Sequence, residues 1–375
     1  MKKKKIAIII VAIVILILLI YVFITKRSSL MKKGITALKD VEGITIVPTM
    51  NDELTKDSAW CGTFQLIWND MKNEVVKKDI IFNPQLEMVK NLNKEDFNVE
   101  MISEDYYYKI YGLKNQELKK EIENGIKDKF NQTSDILGHI NWGDGDGLDN
   151  PNNYSTNNYF FYCMLYRKFE FIEAFNKLDK GKFGEKYNNI NYFGIDSTTK
   201  KSVRNQIRVL YYNSKDDFAI IIYTKTDDEV IFCKSPEGEN FNQIYENMIK
   251  NSNTYLGNTK FTKVDEFKAP YIEFDELKEF YELENNHFLL ADGNDGVINQ
   301  AIQSIKFTID EKGGEIKSEA GIGASFTSID KPEYNEPRYF YVDDTFTIFL
   351  REQGKEKPYF AGRIENITKF QNQEK

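Results

Sequence analysis

The sequence predicts an α+β fold with antiparallel sheets, carried behind a single transmembrane helix. Helical periodicity is concentrated in the first third of the domain and strand-like runs follow residue 158. No βαβ alternation links the two, which argues against a parallel sheet. At the start, residues 6–25 read IAIIIVAIVILILLIYVFIT, without a charge, Pro or Gly. At about 1.5 Å per residue this stretch spans the hydrocarbon core of a bilayer.

Lys2 to Lys5 precede the apolar stretch and Lys26-Arg27 follow it, with no small-residue cleavage site. The pattern is that of an uncleaved signal anchor. Its Lys-rich start favours a cytoplasmic N-terminus and an extracellular domain on a single-pass membrane protein. The expected organisation is a basic tail (1–5), the anchor (6–25), a juxtamembrane linker (26–52) and one domain (53–370). Within the domain, Cys61, Phe64, Ile67, Trp68 and Met71 recur at helical spacing over 60–74. Ile80-Ile81-Phe82 reads as a short strand ended by Asn83-Pro84. Leu118, Ile122, Ile126 and Phe130 form one face of a charged helix over 117–130. A Gly/Asp/Asn loop (143–153) then precedes strands at 159–166, 208–212, 218–224 and 229–233. Helices are expected at 241–250 and 275–283. Residues 298–309 begin helical and continue as a strand. Strands 346–351 and 359–364, joined at Gln353-Gly354-Lys355, close the chain.

Composition excludes several functions. Residues 1–39 hold nine Lys/Arg and no acid, so the rest carries 41 basic against 58 acidic residues, a formal charge of −17. Such a surface repels nucleic acid. Heavy use of Lys, Asn and Ile suggests an AT-rich, bacterial genome. Cys61, Cys163 and Cys233 sit among apolar neighbours and read as three buried thiols rather than a disulfide frame. The two histidines, His139 and His287, lie near no GxSxG nucleophile motif, so no catalytic residues are assigned. Asp144, Asp146 and Asp149 depart from the EF-hand pattern, with Leu148 at the fifth position. That loop and ADGNDG (291–296) read as acidic surface loops, and no metal or cofactor is expected.

The segment ADGNDGVINQAIQSIKFTIDEKGGE (291–315) resembles the stretch in which serpins run through a central strand into the hinge of the reactive loop. FTIFLREQGKEKPYFAGRIENI (346–367) resembles the family's closing strand pair, with Phe360-Ala361-Gly362-Arg363-Ile364 at Phe-x-Gly-Arg-Val. KVDEFKAPYIEFDELKEFYEL (263–283) is similar to the strand ending in Pro-Lys-Phe and the short helix after it. YRKFEFIEAF (166–175) matches Tyr-Phe-Lys-Gly-x-Trp-x-x-x-Phe, with Phe171 at the Trp. The resemblance covers 158–367 and is weak before it. It implies a serpin-like fold: a large central sheet, a second antiparallel sheet, and here a reduced N-terminal helical layer.

The resemblance further implies a monomeric suicide inhibitor of a serine or cysteine protease, whose cleaved loop inserts into the central sheet. Insertion requires a flexible hinge, no Pro, and one face fit for burial. Glu311, Gly313 and Gly314 form the implied hinge, and no Pro lies between Gly314 and Lys331. Ile316, Ser318, Ala320, Ile322, Ala324 and Phe326 alternate with polar residues or Gly as the inserting face. Family distance from Glu311 places the reactive bond at Thr327-Ser328. Three departures stand out. Ile316, Lys317 and Glu319 replace a run of small residues. The family's sheet-opening Asn and His fall on Cys163 and Gln303, a region that also includes Phe171, and its helix-start serines fall on Asn83 and Leu86. The alternative reading is a non-inhibitory binding module of the cell envelope. The expected partners are a target protease and, through the anchor, the lipid bilayer.

Overall fold

The computed structural model describes residues 43–142, 158–316 and 336–371. The chain divides into two units, Met1–Glu42 and Gly43–Lys375, and all described residues lie in the second. The expected anchor (6–25), the loop 143–153 and the reactive stretch 317–335 fall outside the described residues. Among those described, no helix is long and apolar enough to cross a membrane.

The chain enters the domain within the expected linker. Thr45–Ile46 forms β1, with Ile44, Ile46, Val47 and Met50 buried. Next come β2 (Ser58–Cys61), α1 (Thr63–Asp70) with a wider turn over Met71–Val76, and α2 (Glu87–Leu92). Trp60 and Cys61, read as helical from their spacing, belong to β2, which pairs with the end of the chain. Ile80 and Phe82 are buried but form no strand. Side chains hold their backbone instead: Asn93 donates to Ile80 O, and Phe82 N donates to Gln85.

β3 (Tyr107–Leu113) leads to α3 (Gln116–Phe130), the helix read from its periodicity. Asn115 caps it by accepting from Leu118 N, and Asn131 ends it in the left-handed region. Leu118, Ile122 and Ile126 pack on Ile110, Phe160 and Tyr162. β4 (Tyr159–Leu165) pairs antiparallel with β3 along seven residues. β5 (Arg167–Glu170) follows after Tyr166, and β6 (Asn176–Phe183) and β7 (Tyr187–Gly194) form a bulged hairpin.

β8 (Ile207–Ser214), β9 (Asp217–Tyr223) and β10 (Asp228–Lys234) match the expected strands, and α4 (Phe241–Thr254) the expected helix. β11 (Glu266–Pro270) precedes β12 (Ile272–Glu279). The helix expected at 275–283 is absent: β12 runs through to Glu279 because it pairs with a later strand over eight residues. β13 (His287–Leu289) and β14 (Asp295–Val297) make a small hairpin. Residues 298–301 are irregular, not helical, and β15 (Ile302–Ile309) follows. β16 (Gly313–Ile316), β17 (Tyr339–Tyr341), β18 (Phe346–Glu352) and β19 (Phe360–Ile364) complete the chain.

The seven-stranded sheet runs β1-β2-β19-β18-β10-β9-β8. β10 is buried throughout, which explains its continuous apolar run. Phe241 and Tyr245 of α4 cover one face against Phe349, and Phe307 stacks on Phe360 from the other at 4.7 Å. Two four-stranded sheets run β17-β11-β7-β6 and β12-β15-β16-β5. The α+β class with several mostly antiparallel sheets and few helices is thus observed among the described residues.

Candidate functional site

The implied hinge is a tight turn locked at both ends. Asp310 N donates to Gly313 O, and Asp310 Oδ1 accepts from Lys312 N and Gly313 N. Gly313 has φ +146, and a Cβ there would lie 2.1 Å from Phe169 O. A Cβ on Gly314 would lie 2.3 Å from Thr308 O and 2.4 Å from the Phe169 ring. Glu311 is nearly buried and accepts from Tyr271 Oη at 2.7 Å, while its carbonyl accepts from Phe175 N. Burial and the Glu311 carboxylate hold the Tyr271 hydroxyl well above its usual range.

Past the hinge the described chain stays in the sheet as far as Ile316. β16 lies between β15 and β5, antiparallel to both. Glu315 pairs with Thr308 on one side, and Gly313 to Ile316 pair with Glu170 to Arg167 on the other. Ile316 is 4% exposed, while Glu315 points outward to Lys168 at 3.6 Å. Ile316, bulky by the sequence criterion, is accommodated.

Below Ile316 the slot opens into a groove of about 1270 Å³. Cys163, Met164 and Leu165 of β4 form one wall and Ile302 to Ile305 of β15 the other, with Ile67, Trp68 and Met71 also lining it. Among the described residues β4 pairs only with β3, so its edge toward β15 carries no ladder. Gln303 donates to Cys61 O at 3.1 Å and Thr63 Oγ1 at 3.0 Å, at the start of α1. The helix start below the groove is therefore at Thr63, not at Asn83 or Leu86, which precede α2. Gln303 Oε1 is buried without a partner.

Cys163 and Cys61 both line the groove as free thiols. Burial pushes Cys61 up to about 11 and Cys163 well above the ordinary thiol value. Neither is a thiolate nucleophile at neutral pH. Phe171 sits behind the hinge, packed edge-on to Phe175 at 5.0 Å and against Phe193 at 6.0 Å. Thus Glu311, Gly313, Gly314, Ile316, Cys163 and Gln303 gather along one slot and groove. Ser318, Ala320, Ile322, Ala324, Phe326, Thr327 and Ser328 lie outside the described residues, as do Asp144, Asp146 and Asp149. Asp292 closes its own turn by accepting from Asn294 N, and no metal-ligand cluster occurs among the described residues. His287 pairs with Asp295 on an exposed hairpin.

Sequence reading passed over Arg167. Its side chain is fully buried, with Nε 2.6 Å from Asp228 Oδ1 and Nη1 3.3 Å from Glu352 Oε2. The guanidinium lies 3.5 Å from the Tyr106 ring centroid. An arginine inside the apolar run YFFYCMLYRKF was the available signal.

No family model matches the chain, and no curated protein matches it. Among solved structures, it is similar to thyroxine-binding globulin in complex with thyroxine. The overlay has a TM-score of 0.49 and 11% identity, covering 83% of this chain and 93% of that one. A structure of human thyroxine-binding globulin gives a TM-score of 0.47 at 12% identity over 83% and 92%. Serpin48 of the insect Tenebrio molitor gives 0.38 at 14% over 74% and 71%. With all three scores below 0.5, no property is carried across from them.

Proposed function

We propose that the chain is a serpin-like protease trap that works by strand insertion. The observation that carries this is β16, a four-residue strand already seated between β15 and β5 directly above an open groove. Continued in the same register, the chain after Ile316 brings Ala320 between Gln303 and Cys163, and Ala324 level with Tyr159 at the start of β4. The residues entering the interior are then Ser318, Ala320, Ile322 and Ala324, small or apolar. Insertion gives β4 and β15 their missing ladder and fills the groove.

In this reading a target protease attacks the Thr327 carbonyl, breaks the Thr327-Ser328 bond, and keeps Thr327 as an acyl ester or thioester. Ser328 leaves as a free amine. The released segment enters the groove and drags the acyl-enzyme with it before water cleaves the ester. The anchor at 6–25 would hold this activity at the outer face of a cell membrane. The loop's medium-sized Phe-Thr-Ser sequence suits a protease that does not require Arg or Lys.

The test is a panel of serine and cysteine proteases scored for a gel-stable covalent adduct, with mass spectrometry of the released fragment. Cleavage within 326–329 and a large rise in Tm afterwards are expected. Cleavage without adduct or thermal gain would reject inhibition and leave the non-inhibitory module.

A further inference from the structure

Both walls of the slot that holds β16 contact the seven-stranded sheet, and Arg167 is one of the residues that tie the β5 wall to it. Both walls are fastened independently to that sheet. On the β15 side, Phe307 stacks on Phe360 of β19 at 4.7 Å. On the β5 side, Arg167 reaches Asp228 of β10 and Glu352 of β18. Lys225 N donates to Glu170 O, and Phe171 bridges to Thr224. β19, β18 and β10 are consecutive neighbours. Neighbouring strands lie about 4.8 Å apart, so β19 and β10 are separated by roughly 9.6 Å, the spacing of two walls with one strand between them.

The cluster is built as a fixed joint rather than a surface ion pair. Tyr359 Oη donates to Asp228 Oδ1 at 2.8 Å, and Thr226 Oγ1 to Asp228 Oδ2 at 2.8 Å. Glu352 accepts from Ser103 N at 2.8 Å and from the Ser103 hydroxyl. Arg167 Nη2 has no hydrogen-bond partner, and removing any member would leave a buried charge uncompensated. Among the described residues the Arg167–Ile316 pair is the last one β16 makes, so the joint stands at the groove end of the described strand.

We infer that Arg167 is a positioning residue for loop entry: it holds β5 away from β15, so that the hinge rests inserted and only β4, below the joint, moves when the loop follows. This rests on the insertion reading above. Without the joint, β5 closes toward β15 and β16 is expelled.

Hydrogen exchange on the full chain tests this. In Arg167→Met/Asp228→Asn/Glu352→Gln, which leaves no unpaired buried charge, exchange at amides 313–316 should rise at least tenfold while 228–234 changes less than twofold. In Arg167→Met, which leaves the Asp228 and Glu352 charges unpaired, 313–316 should rise at least as much and 228–234 should rise too. Unchanged exchange at 313–316 in either variant would overturn the inference, as would an equal rise at 228–234 in the triple variant, the mark of a purely structural role. Should neither variant fold, wild type before and after loop cleavage decides. Exchange at 159–165 should then slow at least tenfold while 167–170 stays within twofold. Slowing shared across 159–170 would overturn the joint but leave insertion standing. No slowing at 159–165 would overturn insertion, and this inference with it.

Discussion

Replacing Gly314 by Ala puts a methyl group where the slot has no room. The new Cβ would meet Thr308 O at 2.3 Å on one side and the Phe169 ring at 2.4 Å on the other. Both neighbours are fixed, one by the backbone of β15 and the other by burial at 1% exposure. Overpacking of this kind costs about 1–3 kcal/mol, and a double clash belongs at the upper end. Against it stands Ile316, whose burial contributes roughly 2–3 kcal/mol. The ladder bonds of β16 are largely offset by ordering four residues at about 1–2 kcal/mol each. A cost near 3 kcal/mol shifts the seated-to-expelled ratio by roughly 100-fold. Hydrogen exchange at 313–316 should therefore accelerate by about that factor, and adduct formation should fall. Gly138→Ala is the control, since nothing lies within 4 Å of its Cβ. Gly314→Ala with wild-type exchange and wild-type adduct yield would refute the reasoning.

Three further outcomes are expected. Gln303→Met removes two donated bonds of about 1 kcal/mol each but also an unpartnered buried carbonyl costing about 1–3 kcal/mol, so the urea midpoint should move little. A large loss of stability would show that Oε1 is satisfied. Asp196 is held down to about 2 from 3.8, chiefly by the Thr198 hydroxyl and also by Asn176 and the Thr198 and Thr199 groups. A depressed carboxylate stabilises the fold above its unfolded value and loses that stabilisation as pH falls through the folded one. Asp196→Asn should therefore flatten acid unfolding in that window, and an unaltered curve would contradict it. Finally, the full chain should fractionate with membranes, and protease added to intact spheroplasts should remove the domain. Its survival, with lysed cells as the control, would reverse the proposed topology.

Much of the local structure was legible because it is local. Leu118, Ile122 and Ile126 recur every four residues, and the helix is there, capped by Asn115. The apolar runs of β9 and β10 could only be buried strands. Ile316, the one member of the expected inserting face among the described residues, is buried. What failed was decided by distant partners. Residues 275–279 look helical alone, but β15 recruits them into a ladder. Cys61 and Trp60 fit a helical stripe until β19 claims them. The resemblance puts the family's helix-start serines at Asn83 and Leu86, whereas the helix start that Gln303 contacts is at Thr63. Arg167 was invisible as a joint because Asp228 and Glu352 are remote in sequence.

The register of β16 also bears on how this chain can change over generations. Side chains in a strand alternate strictly, so under the insertion proposed above a single-residue insertion or deletion directly after Ile316 would turn Ser318, Ala320, Ile322 and Ala324 outward and send Lys317 and Glu319 inward. Under that proposal point substitutions at the outward positions are tolerable, and length changes are not. Beyond Ser328 insertion would impose no such parity on length. Among relatives, gaps should therefore collect between 329 and 335 and be missing from 314–326, a signature visible in sequence records before any protein is purified.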